Sequence, residues 1–385
     1  MKQSPVPDFL HPDEQVHPAV AELLAHAVTP MRLQYFHHTH EFPLVAPGKV
    51  TFVWIGAADR VCLLRWIHGG IDRLEFRPVT DTPLWLLSLD VIDNGRFEYK
   101  LGVEQDGRQE WVLDPLNPDR AGDPYGENSV CMTYGYTQPS WSMPQGAPAG
   151  TIEPLHVLSS VFAETREEQV YLPADYQPEL IYPLLIIHDG ADFVTYADLS
   201  TSLDNLIASG VIPPVIAALV QTRDRLGEYA RGHRHARYIV GDLMPHVSRR
   251  YRVSERPEDR VLLGASLGAV VSLATIFRYP GVFGGAVLHS GSFILDERKL
   301  EGRPHPVFER VSRLVKAFRR TPNMPELRAF ISTGELEGLA SENEALANLL
   351  HKNGVSVLFR SAWDGHHWHN WRDQLREGLE WVLKR

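Results

Sequence analysis

Val261-Leu262-Leu263-Gly264-Ala265-Ser266-Leu267-Gly268 is the stretch on which the reading of the fold turns. An apolar run of strand length meets a Gly-x-Ser-x-Gly turn, and the apolar segment 269–277 follows. Strand, tight turn and helix are the context a nucleophile elbow needs. Two glycines let the backbone bend sharply enough to lift a serine hydroxyl out of the sheet. The helix end supplies free N–H groups and positive dipole where an oxyanion would form. The five-residue pattern alone is frequent by chance, so its weight depends on partners for Ser266.

A nucleophilic serine needs a base, and the base needs an acid to fix its tautomer. In an α/β-hydrolase arrangement these follow the serine in the order acid, then histidine, on loops after late strands. Strand-like 355–359 leads into Trp363-Asp364-Gly365-His366-His367-Trp368-His369. His366, just after a glycine, is the preferred base; His367 and His369 stay open, and a plain surface histidine cluster is the bland alternative. After the strand-like run 329–332, the loop Thr333-Gly334-Glu335-Leu336-Glu337-Gly338 offers two carboxylates. Glu337 is preferred as acid, with Glu335 open and Asp364 too near His366 in sequence. The expected oxyanion donors are the Leu267 N–H and an N–H at Gly190 or Ala191, in the loop after strand-like 184–187. Asp189-Gly190 is equally a frequent ordinary turn.

The chain has 385 residues, which predicts about two domains. A hydrophobic content of 44% with 22% charged residues is that of a globular protein, and a net charge of −10 argues against nucleic acid or an anionic membrane as partner. No run reaches the roughly 20 apolar residues that span a bilayer, and the start, Met1-Lys2-Gln3-Ser4-Pro5, lacks a signal-peptide core. Cys62 and Cys131 read as reduced thiols, and the expected location is cytoplasmic. Neither His37, His38 and His40 nor His366, His367 and His369 carries the carboxylate pattern of zinc hydrolases, so neither metal nor organic cofactor is expected.

The texture changes along the chain. Residues 1–136 read as an N-terminal extension, without clear pattern to about residue 45, followed by short strands. In Lys49–Trp54, Val50, Phe52 and Trp54 alternate as in a half-buried strand; 61–64, 84–87 and 97–101 continue the series. This spacing predicts a β-sandwich. Pro139, Pro144, Gly146 and Pro148 mark a linker over 137–150. From 151 to 385, apolar runs alternate with helical segments, as a mostly parallel sheet covered on both faces requires. Ser341 with Glu344 suggests a capping box, and Trp371, Leu375, Leu379 and Val382 share one helical face.

Asp114–Pro118, His188-Asp189-Gly190, Arg225–Tyr229, the elbow, Ser290-Gly291-Ser292, Gly334–Glu337 and Gly365-His366 with Trp371-Arg372 together resemble the enterochelin (ferric enterobactin) esterase family, within the esterase-D-like α/β-hydrolases. The similarity covers about residues 48–385. It implies an α/β-hydrolase fold preceded by an immunoglobulin-like early-set domain that borders the cleft. It also implies serine hydrolysis of a small-molecule ester by Ser266, Glu337 and His366. Two departures are Ala269, where the family usually has a second glycine, and His367-Trp368 after the histidine. Arg225, Glu228, Tyr229 and Asp189 are the candidate substrate contacts. A ferric siderophore trilactone is a large anion, and Arg223, Arg225, Arg231, Arg234 and Arg237 offer positive charge for it, or form a solvated face. Trp54, Trp66, Trp85 and Trp111 either stack on sugars or, as preferred, fill the sandwich core. The alternatives are therefore a feruloyl or acetyl esterase on carbohydrate-linked esters, or a non-catalytic binding protein with a degenerate hydrolase domain. The sequence leaves the oligomeric state open.

Overall fold

The computed structural model describes residues 16–67, 70–294, 306–318 and 326–384; the Met1–Pro5 start lies outside them, as do the side chains of Trp66 and Arg231. The chain divides into two compact units, Met1–Thr137 with Trp363–Gly365, and Gln138–Ala362 with His366–Arg385.

Among the described residues, the first unit holds two antiparallel sheets. One has the order Leu44–Ala46, Lys49–Ile55, Leu84–Asp90, Arg77–Pro78; the other runs Gly70–Glu75, Arg60–Ile67, Arg96–Gln105, Gly126–Met132, Arg120–Asp123, with Arg108–Val112 also on Arg96–Gln105. They pack face to face: the Phe52 ring lies 5.0 Å from Tyr99 and 6.2 Å from Phe97. The strand Lys49–Ile55 departs from the half-buried expectation, because Val50, Thr51, Phe52 and Val53 are all buried. Its second face is covered by helices Pro18–Leu24 and Pro30–Thr39, whose Val20, Leu23, Leu33 and Phe36 pack with Val53, Leu84 and Leu86. Both helices start with proline, where the missing N–H costs nothing, and Thr29 Oγ1 caps the second by accepting from the Arg32 N–H. Among the described side chains, tryptophan does not fill this core: Trp54 and Trp85 face each other across the ladder half-buried, and Trp111 is 48% exposed. Cys62 and Cys131 are buried free thiols. The Asp114–Asn117 turn is a buried polar knot, with Tyr99 Oη donating to Asp114 at 2.7 Å and Asn117 Nδ2 donating to the Val130 carbonyl at 2.7 Å.

The second unit forms, among the described residues, a sheet of eight strands: β1 (Thr151–Ser159), β2 (Glu164–Leu172), β3 (Leu184–His188), β4 (Ile216–Val220), β5 (Arg260–Ala265), β6 (Gly285–His289), β7 (Arg328–Gly334) and β8 (Ser356–Ala362). Their order is β1-β2-β4-β3-β5-β6-β7-β8; β2 is antiparallel to both its neighbours and every later pair is parallel. Helices cover both faces. Leu184 and Ile186 of β3 enter one apolar layer and Leu185 and Ile187 the other, because successive side chains point to opposite faces. That is why the central strands read as unbroken apolar runs. This is the α/β-hydrolase arrangement, with the Gly-x-Ser-x-Gly turn directly after β5.

Two local expectations change. Helix Ala340–Lys352 begins after Leu339 with no side-chain cap, and Ser341 Oγ donates to Glu342 instead of forming a capping box. The C-terminal helical face is built from two helices, Trp368–Asp373 and Leu375–Leu383, yet Trp371, Leu375, Leu379 and Val382 remain on one buried layer. The 137–150 stretch is tied to the second unit, where Asn205 Nδ2 donates to the Trp141 and Met143 carbonyls, both at 2.8 Å. Among the described residues, no helix is long and apolar enough to cross a membrane.

Candidate active site

Ser266 stands between the last residue of β5 and helix Leu267–Arg278, at φ 56° and ψ −119°. That is a strained conformation for a side chain with a Cβ, and such strain is tolerated where neighbours impose it. The flanking glycines do not carry the strain themselves. A Cβ on Gly264 would stand 2.5 Å from the Gly268 carbonyl carbon, so Gly264 lets strand and helix pass closely. The expectation that glycine flexibility makes the bend is corrected accordingly.

A second turn stands beside the first. Strands β3 and β5 are hydrogen-bonded neighbours, with Ile187 opposite Leu263, and both turns leave their C-terminal ends. Asp189 is left-handed at φ 57°, and Gly190 opens the helix Gly190–Tyr196. Gly190 is required by packing, because a Cβ there would lie 2.5 Å from Leu219 Cα. The two turns touch: a Cβ on Gly268 would be 3.2 Å from Asp189 Oδ2. Leu267 and Gly190 are thus first residues of neighbouring helices, whose opening N–H groups have no partner within their own helix. Ala191 follows in the same first turn.

Glu337 lies in the loop after β7 and is 4% exposed. Its Oε1 accepts from Thr333 Oγ1 at 2.6 Å and the Gly334 N–H at 2.7 Å, while Oε2 accepts from His366 Nδ1 at 2.5 Å. The Ser290 hydroxyl also bonds to it. Burial alone would raise this carboxyl, but the His366 ring and the hydroxyl donors outweigh it and hold the pKa down at about 2. With Nδ1–H given to a carboxylate, the Nε2 of His366 is the ring nitrogen able to take a proton. The imidazole meets Trp371 edge-on at 5.2 Å, and Trp371 Nε1 donates to Ser290 Oγ at 2.9 Å. Glu335 turns elsewhere and accepts from Ser361 Oγ at 2.9 Å. Asp364 accepts from Arg96 at 2.9 Å within the first unit, and His367 stands at the N-cap position of the helix Trp368–Asp373, where its side chain makes no capping bond. Among the described residues no group of three metal-ligating side chains is present.

The candidate substrate contacts divide by exposure. Arg225 donates to Asp189 Oδ2 at 3.0 Å and to the Ala265 carbonyl at 3.3 Å, directly behind Ser266, and its side chain is 35% exposed. Tyr229 is wholly buried, and its hydroxyl accepts the Asp189 N–H at 3.2 Å. Glu228 is bound by Arg166 at 2.9 Å and His235 at 3.3 Å. Of the other arginines, Arg223 pairs with Glu164 at 3.2 Å and Arg234 donates to the Val161 carbonyl at 2.9 Å. Arg237 is exposed. The sequence assigned no role to Ser292, whose hydroxyl lies 3.2 Å from that of Ser266, nor to Ser290, Thr333 and Asn343. Only the Ser-Gly-Ser run signalled two of them.

Comparison with known proteins places this geometry. The model of the Esterase family, described as "Putative esterase", matches residues 159–382. The uncharacterized protein YjcH of Bacillus subtilis is 25% identical over 241 residues, 61% of this chain and 98% of its own. The iron(III) enterobactin esterase of Escherichia coli O6:H1 is 25% identical over 275 residues, 70% of this chain and 66% of that protein. The crystal structure of enterochelin esterase from Shigella flexneri superposes with a TM-score of 0.70 at 20% identity, over 93% of this chain and 99% of that one, a likeness of fold. Because the family model spans more than half of the sequence, from β1 to the last helix, the chain belongs to the Esterase family.

Proposed function

We propose that this protein is a serine esterase that hydrolyses carboxylic esters through an acyl-enzyme. Ser266 Oγ attacks the ester carbonyl as His366 Nε2 takes its proton. The tetrahedral oxyanion rests on the Leu267 N–H and an N–H of Gly190 or Ala191. His366 then returns the proton to the leaving alcohol, and a water, deprotonated in turn by His366, releases the acid and regenerates Ser266. Glu337 fixes the imidazole and offsets its charge, and one well-placed oxyanion donor contributes about 3 kcal/mol to the transition state. The observation that carries this reading is the 2.5 Å contact between Glu337 and His366 Nδ1, on a carboxylate otherwise saturated by hydroxyl and backbone donors.

The substrate class we assign is an anionic ester, including catecholate siderophore trilactones with ferric iron as cargo. Support comes from the enterobactin esterase relative and from the half-exposed Arg225 behind the elbow. Asp189 and Tyr229 then act by holding Arg225 and the Gly190 turn in place, while Glu228 is tied to Arg166 and His235. A fluorophosphonate probe and an ester panel test the proposal; the panel contains ferric and metal-free catecholate trilactones, short acyl p-nitrophenyl esters and feruloyl esters. The wild type is expected to label and to cleave the trilactones fastest, and Ser266→Ala to do neither. Full ester turnover by Ser266→Ala would sink the mechanism; preference for feruloyl esters would move the substrate class to carbohydrate-linked esters.

A further inference from the structure

The tripeptide Ser290-Gly291-Ser292, which follows β6, reaches both ends of the proposed triad. Ser290 accepts from Trp371 Nε1 at 2.9 Å and gives its own hydroxyl proton to Glu337. Two residues on, the Ser292 N–H donates to the Ser266 carbonyl at 3.3 Å, and its Oγ stands 3.2 Å from Ser266 Oγ. Ser292 is 1% exposed, so this hydroxyl is not a surface group that water could satisfy.

The tripeptide is held by Asn343, itself fully buried. Its Oδ1 accepts the Gly291 N–H at 2.9 Å, while Nδ2 donates to the Gly291 carbonyl at 2.9 Å and to the Leu339 carbonyl at 2.9 Å. Both amide protons and the amide oxygen are therefore used, two of the three bonds on one residue. A side-chain amide that brackets a single peptide residue from both sides fixes its position and orientation. Gly291 also has no room for a side chain, because a Cβ would meet the Phe293 ring at 2.0 Å.

We propose that Ser292 is a further catalytic residue, donating a hydrogen bond to Ser266 Oγ, and that Asn343 is the residue that positions it. The inference rests on the serine-esterase reading above. Its direction follows from that mechanism: there Ser266 gives its only proton to His366, so the proton between the two hydroxyls is the one Ser292 supplies. Such a bond strengthens as negative charge grows on Oγ during attack, and again when Oγ leaves the acyl group in deacylation. Ser292 neither gains nor loses a proton in the cycle.

The test compares wild type, Ser292→Ala, Ser292→Thr, Asn343→Asp and Ser266→Ala, each with a thermal melt. For Ser292→Ala, kcat is expected to fall about tenfold to a hundredfold, the range of a hydrogen bond to a charged group, with KM within about twofold. The rate of fluorophosphonate inactivation should fall by the same factor, since it reports on the same oxygen without an ester substrate. Ser292→Thr keeps the hydroxyl and should recover most of the rate. Asn343→Asp cannot donate to Gly291 and should show the Ser292→Ala pattern. If Ser292→Ala does not fold, Ser292→Cys, a weaker donor of similar size, should show a smaller loss in both rates. Wild-type inactivation by Ser292→Ala or Ser292→Cys overturns the role of Ser292, and an unchanged Asn343→Asp rate overturns that of Asn343. Failure of the wild type itself to label overturns the serine reading and this inference with it.

Discussion

At the residue scale, the site is organised around a carboxylate placed where a carboxylate should be costly. Glu337 is 4% exposed, and burial pushes its pKa up; the His366 ring and donors from Thr333, Gly334 and Ser290 reverse that and bring it to about 2. A pKa below the unfolded value of 4.5 means that the unfolded chain takes up the proton first. The stability from Glu337 is therefore fully present above pH 4.5 and is lost as pH falls towards 2. Glu337→Gln should lower kcat by about 10³–10⁴, the size of effect seen when a serine-protease aspartate becomes an amide, because the amide can hold the wrong tautomer. Glu335→Gln should keep wild-type kcat, since Glu335 bonds to Ser361. The same Glu337→Gln protein should show a flatter urea-unfolding free energy between pH 4.5 and 2. Equal losses of kcat in the two variants would remove Glu337 from its assigned place.

At the element scale, the elbow works because β5 and the helix after Ser266 pass almost in contact. A Cβ at Gly264 would lie 2.5 Å from the Gly268 backbone, whereas one at Gly268 would first meet Asp189 Oδ2 at 3.2 Å. Backbone cannot yield as a side chain can, so the two glycines are not equivalent. Gly264→Ala should cost about 1–3 kcal/mol of stability, as overpacking does, and Gly268→Ala clearly less, measured as urea midpoints. A Gly264→Ala protein as stable as wild type would contradict the contact. The elbow was legible from sequence because its pattern is local: strand, turn and helix lie within adjacent residues. The loops that bring Glu337 to His366 were legible by order, each after an apolar run. The Ser290–Asn343 bracket was not, since nothing local to Asn343 points to Gly291, 52 positions away. Edge strand β1 was missed as well. Its burial alternates only in its second half, at Leu155, Val157 and Ser159, and a proline at position 154 is a poor strand signal in sequence. The N-terminal helices were unreadable because each is short and its apolar residues only make sense against the sheet they cover.

At the scale of the whole molecule, close packing leaves imidazoles in places that disfavour their charged form. His188 at the end of β3, His289 at the end of β6 and His235 on the helix His233–Tyr238 are each wholly buried. Burial lowers all three pKa values, that of His289 to about 3; Glu228 beside His235 only partly opposes this. Each depressed value means that the unfolded chain binds a proton that the folded chain refuses. The stability they contribute is present above the ordinary histidine value of 6.5 and is lost as pH falls, for His289 down to about 3. Buried Glu168 and Asp114 have raised values and work in the other sense, gaining stability on acidification, so the total slope mixes both signs. A difference isolates the histidine: His289→Asn keeps a polar group near Ser332, whose Oγ is 2.6 Å from His289 Nδ1, yet it has no proton to gain. Subtracting its urea-unfolding free energies from those of the wild type should leave a positive slope with pH from about 3 to 6.5, flat above. A difference independent of pH across that window would mean that His289 is already protonated in the folded protein.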